Sequence, residues 1–236
     1  MVGISIIFCL TGLRTEIDLD RDGILEVVKM EVRQITEMNG WKEIEFSVVV
    51  EDNGEEIVVC PEGYGELIEN LFPEMIAEKI KVMDVLRPAV IVKTSCSGTG
   101  IHTYGKLVMF LDGRYMCFDV DGVEGVYKGG YIMEVWRHDS MGPHGAGSPF
   151  LSHYYTLDKE VNWEFTDRTF ELLVRDEGIR KEWLEGVGIA IESWKETEDS
   201  DLKKNALKVL EEFKKALESE KNPKILQEIY SRCAFD

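Results

Sequence analysis

The chain has 236 residues, of which 44% are hydrophobic and 31% charged, so it is long enough to bury a sizeable core. Acidic residues (45) outnumber lysines and arginines (27), and the net charge of −18 repels phosphate backbones and anionic lipid surfaces, which disfavours nucleic acid as a partner. The same surplus of carboxylates suits hard cations.

In chain order, the first segment, 1–13 (MVGISIIFCLTGL), is apolar and uncharged, with the dimensions of either a signal-peptide core or a buried first strand. No stretch is long and apolar enough to span a bilayer as a helix. From residue 24 to about 60 the pattern is that of strands: ILEVVKMEVRQI, then KEIEFSVVVED, a turn at Asn53-Gly54, and EEIVVC. Segment 65–80 (GELIENLFPEMIAEKI) has mixed apolar spacing around Pro73 and is expected to form a short helix or two turns. Strands are expected again at 89–95, at 106–120 with a turn at Asp112-Gly113, and at 131–138. Segment 139–149 is rich in glycine and proline and reads as a loop.

Beyond about residue 176 the period becomes helical. Ile179, Trp183, Leu184, Val187, Ile191 and Trp194 recur at three- and four-residue steps. A second helix is capped by Ser200 and carries Leu202, Ala206, Val209, Leu210, Phe213 and Leu217; a third starts at Asn222-Pro223 and turns Ile225, Leu226, Ile229 and Tyr230 inward. The expected fold is therefore α+β: a mostly antiparallel β domain over 14–175, with the period changing near residue 170, followed by C-terminal α-helices over 176–236.

Five cysteines (Cys9, Cys60, Cys96, Cys117 and Cys233) include no C-x-x-C pair, which disfavours structural zinc. In an oxidising compartment, Cys60 is expected to pair with Cys96 or Cys117, since all three lie beside expected strands.

The stretch DLDRDGILEVV (18–28) places carboxylates at alternate positions before a glycine. Calcium takes six to eight oxygens, and side chains at alternate loop positions can converge on one ion where a glycine permits the sharp turn. Asp18, Asp20 and Asp22 occupy positions one, three and five, Ile24 offers its carbonyl from position seven, and Glu26 approaches from position nine. Position twelve is Lys29 rather than glutamate and a strand follows, so this is not an EF-hand.

The pattern D-x-D-x-D-G-x-x-E before an apolar strand resembles the calcium loops of FG-GAP and VCBS-type repeats. MDVLRPAVIV (83–92) looks like a degenerate second copy and GGYIMEVW (129–136) a weaker third, so only the first retains ligands. The resemblance implies one calcium site in a secreted or surface-exposed β-rich protein. Two or three units do not close a propeller.

Two loops compete for a role in catalysis. SCSGTGIHTYG (95–105) matches no nucleophile elbow, dinucleotide fingerprint or Walker pattern. Segment 137–155 gathers His138, Asp139, His144 and His153, from which a metal site or hydrolase centre can be built, although their spacings match no metal signature. The expected function is that of a non-enzymatic, calcium-stabilised module, secreted or at the cell surface, binding a protein or glycan. The alternative is a hydrolase using the histidine loop with calcium structural, and a cytoplasmic location is the alternative to secretion.

Overall fold

The computed structural model describes residues 13–38, 41–67, 73–96, 102–143, 147–159, 163–198 and 200–235. Among them are twelve mostly antiparallel strands in a sheet that does not close, and four α-helices that follow toward the C-terminus. The fold is α+β, as expected, and is neither a barrel nor a propeller. The chain divides into two compact units: Met1–Ile132 with Thr156–Asn162, and Met133–Tyr155 with Trp163–Asp236. Of the apolar first segment, only Leu13 is described; its carbonyl accepts the Met30 N–H.

The first unit is built from β1 (Arg14–Ile17), β2 (Glu26–Met38), β3 (Trp41–Asp52), β4 (Glu55–Leu67), β5 (Glu74–Val82), β6 (Val85–Cys96), β7 (His102–Leu111), β8 (Arg114–Asp121) and β9 (Val123–Tyr127). Alternation decides which face is buried. Val28 and Met30 of β2 and Ile44, Phe46, Val48 and Val50 of β3 meet Val90 and Val92 of β6 and Val108 of β7 in one core. Strands β1 to β4 pair in sequence order, β6 pairs with β5 and β7, and β7 with β8. The two groups join where Glu66 of β4 pairs with Ser95 of β6. Gly63 lets β4 settle on the core, since a Cβ there would lie 2.4 Å from the Phe46 ring.

Both expected hairpin turns form, with Asn53-Gly54 at φ 49° and 82° and Asp112-Gly113 at φ 51° and 77°. The helix expected within 65–80 does not. Its described residues end β4 and build β5, whose ladder with β6 runs from Glu74–Lys93 to Val82–Val85. Long-range pairing to an apolar partner overrides the local spacing there. A disulfide joins Cys60 of β4 to Cys117 of β8, with Cα atoms 5.7 Å apart. These strands are not ladder neighbours, so the bond crosses the core.

The second unit holds the rest of β10 (Tyr131–Arg137) and of β11 (Phe150–Asp158), β12 (Glu164–Asp167), and helices α1 (Thr169–Arg175), α2 (Glu177–Lys195), α3 (Asp201–Ser219) and α4 (Pro223–Tyr230). Strand β11 begins within the histidine-bearing segment. Ser200 accepts the Lys203 N–H at 3.1 Å and Asn222 the Lys224 N–H at 3.0 Å, so both expected caps form. Helix α2 lays Trp183 against β11, its indole N–H donating to the Ser152 carbonyl at 3.0 Å. Leu202 and Ile225, expected on buried stripes, are exposed because each lies in the first turn of its helix, beside the cap.

The disulfide closes a sequence separation of 57, for which chain entropy gives a stabilisation of about 4 kcal/mol. Reduction is therefore expected to lower the melting temperature of the first unit. Non-reducing peptide mapping should recover Cys60 linked to Cys117, and full alkylation without reductant would contradict the bond.

Candidate metal centre

The acidic loop spans residues 18–25 between β1 and β2, and Ile17 pairs with Glu26 at its mouth. Asp18 and Glu26 thus stand at the two ends of a hairpin connection, with Asp20 and Asp22 between them. One carboxylate oxygen from each of the four lies within 4.8 Å of the others. Other carboxylate contacts shape the loop: Asp20 Oδ1 accepts the Asp22 N–H at 2.9 Å and Asp22 Oδ1 the Ile24 N–H at 2.7 Å. Glu26 Oε2 accepts the Leu19 N–H at 2.6 Å, and Leu19 is itself buried in the core. Gly23, at φ 92°, supplies the left-handed turn expected of it. Ile24 follows with its side chain exposed.

Glu26 is 1% exposed, and its Oε1 has no hydrogen-bond partner; Asp18 Oδ1 is likewise buried and unpartnered. Burial pushes the Glu26 carboxyl above the ordinary glutamate range, the Leu19 N–H opposes this, and the charges of Asp20 and Asp52 add to the rise. Tyr115 of β8 places a buried, unpartnered hydroxyl in the same field, and burial and the carboxylates of Asp52, Glu26 and Asp20 raise its pKa. Four converging carboxylates, two with orphaned buried oxygens, form a donor set for a hard cation. Asp52 and Tyr115 were missed by sequence reasoning because they belong to other strands and match no motif; Asp52 was visible only as part of a turn.

Asp84, the first residue of the degenerate copy's pattern, has a fully exposed side chain and sits in the Met83-Asp84 turn between β5 and β6. Among the described residues only the 18–26 cluster gathers three or more potential ligands.

In the second unit, His138 and His153 do come together, their Nε2 atoms 3.0 Å apart. His144 lies outside the described residues, and Asp139 contributes backbone to a single 3-10 turn. The carboxylate beside the pair is Asp167, at 3.9 Å from His153 Nδ1. Burial alone would raise the Asp167 carboxyl, but the neighbouring His153 ring and hydrogen bonding from Thr169 outweigh it and hold the group below the usual aspartate range. Burial also keeps the Tyr230 phenol protonated, and its hydroxyl shares a hydrogen bond with His138 Nδ1 at 2.9 Å. The two Nε2 atoms share a second hydrogen bond, and His153 Nδ1 faces Thr169 and Asp167. All four ring nitrogens are turned on protein groups, and Trp183 and Phe170 pack around them. The arrangement is that of a polar network within a core. Tyr230, 92 residues from His138, is expected from the sequence only on an inward helix stripe, with nothing to join it to the histidines.

No family model, curated protein or solved structure matches the chain.

Glu26→Gln offers a test of the orphaned carboxylate. In chelator at neutral pH the variant should be the more stable protein, by about 1–3 kcal/mol, because it removes a buried charge that lacks a partner. A carboxyl whose folded pKa is raised favours the fold below its unfolded value, and that contribution is lost as pH rises through the folded value. The advantage of Gln should therefore grow from the ordinary glutamate range upward. Thermal melts across pH check it, and a less stable Gln variant would show Glu26 to be satisfied by the protein.

Proposed function

We propose that the chain is a non-enzymatic, calcium-stabilised β module, secreted or surface-exposed, that binds a protein or glycan partner. The observation carrying the calcium assignment is Glu26: a carboxylate this deeply buried, with one oxygen held by Leu19 and the other unpartnered, and clustered with Asp18, Asp20 and Asp22, is one whose desolvation a cation would offset. An all-oxygen set of four carboxylates, to which the Ile24 carbonyl would add at the loop's seventh position, suits calcium, whereas magnesium demands a tighter octahedral shell. The Cys60–Cys117 disulfide supports an oxidising compartment. Catalysis at the histidine pair is disfavoured, because its ring nitrogens are already engaged by each other and by Tyr230 and Thr169.

Extracellular sites of this chemistry have dissociation constants of about 10⁻⁴–10⁻³ M, so millimolar calcium is expected to stabilise the first unit by about 0.4–1.4 kcal/mol. Thermal melts with chelator and with millimolar calcium, on the natural chain and on Asp20→Ala, test this. The natural chain should gain a few degrees and the variant none. Equal shifts in both, or none in the natural chain, would reduce 18–26 to a solvated acidic turn.

A further inference from the structure

In the second unit, His138 and His153 meet head to head, with Nε2 atoms 3.0 Å apart, ring centroids 5.1 Å apart and planes 28° from parallel. A hydrogen bond between two ring nitrogens needs one N–H and one lone pair, so one of the two Nε2 atoms must stay unprotonated. The contact therefore tolerates one imidazolium and excludes two. Asp167 of β12, 3.9 Å from His153 Nδ1, can balance one such charge. The other groups facing the rings are the hydroxyls of Tyr230 on α4 and Thr169 on α1 and the ring of Trp183 on α2, all uncharged. Burial holds Tyr230 and its neighbour Cys233 protonated. Of the charged groups adjoining them, Glu134 of β10 is engaged by Tyr155, Glu182 of α2 by Ser152 and Arg168 by Glu171, while Arg137 places a positive charge next to His138 in the chain.

We infer that this pair is an acid-sensitive latch for α4. Below about pH 6 the second ring takes up a proton, the two Nε2 atoms part, and Tyr230 leaves its seat with the helix. His153 lies within β11 and is 7% exposed, whereas His138 follows the last residue of β10, so His138 is the ring that gives way. Tyr230 is bonded to it at 2.9 Å. Helix α4 is less firmly held than its neighbours: it spans eight residues and buries Leu226, whereas α2 and α3 bury seven and five residues. Its departure uncovers the rings of Trp183 and Phe213, against which Tyr230 packs. Arg232 keeps the released helix tethered, because two of its N–H groups hold the Glu212 carboxylate of α3 at 2.8 Å each and keep that carboxyl below the usual glutamate range. The opening is therefore local. The open form binds one proton more than the docked one, so its population rises about tenfold for each pH unit of acidification. The latch involves none of residues 18–26 and stands apart from the calcium assignment.

The test is amide hydrogen exchange between about pH 7 and pH 5, corrected for the intrinsic rate, on the natural chain and on His138→Gln. Glutamine offers an N–H and a carbonyl to the same neighbours and takes up no proton. In the natural chain the opening of Pro223–Tyr230 should rise about tenfold from pH 6 to pH 5 while α2 and α3 stay protected, and in the variant it should change less than about twofold. Thermal melts at neutral pH check that the variant folds. A proton NMR titration of the histidine rings in the natural chain gives a second readout that does not depend on the variant: the second ring of the pair should charge only as α4 loses protection. Two rings that both charge while α4 stays protected overturn the latch. So does equal acid opening in the two proteins, or loss of protection in α2, α3 and α4 together, which is general acid unfolding.

Discussion

The structure around the acidic loop depends on where Glu26 must sit. It opens β2 opposite Ile17, and the pleat that sends Val28 and Met30 into the core turns its carboxylate inward as well. That carboxylate cannot reach water without giving up the strand register. Its Oε2 is taken by Leu19, which draws the loop down against the core, where Asp18, Asp20 and Asp22 gather beside the Glu26 carboxylate. The core and the candidate cation site are thus coupled through one side chain, so an ion bound there would stabilise the packing of β2 as well as the loop.

The disulfide and the loop act on the same body by different means. Cys60–Cys117 ties β4 to β8 across the core and limits the unfolded chain. Tyr115, two residues before Cys117, carries its buried hydroxyl into the field of Glu26 and Asp52. The covalent tie and the proposed ion thus meet through one strand, β8. The second unit relies on neither. There Trp183, Tyr230 and the histidine pair form a core in which the polar groups are joined by one chain of hydrogen bonds ending beside Asp167.

Much of this was legible in the residues themselves, where the determinant was local. The alternation of β2 and β3, the Asn53-Gly54 and Asp112-Gly113 turns, and the caps at Ser200 and Asn222 each depend on a few neighbouring residues. So did the convergence of Asp18, Asp20, Asp22 and Glu26, since alternate spacing and Gly23 are what bring them together. Segment 65–80 misled because β5 owes its extended form to β6, a partner whose influence local periodicity does not carry. Strand β11 likewise meets β5, through Leu157 and Val82, a partner far away in the chain. His138 and His153 were noticed as neighbours in sequence, but Asp167 and Tyr230 reach them only through the fold.

The most direct measurement of the central claim is equilibrium dialysis of the chelator-stripped chain against calcium, repeated with Glu26→Gln. A single saturable ion per chain, lost on replacing the buried carboxylate of the cluster, is the result that the geometry of residues 18–26 predicts. Diffuse, weak uptake that is the same in both proteins would mean that the −18 charge merely attracts calcium and that Glu26 holds no ion.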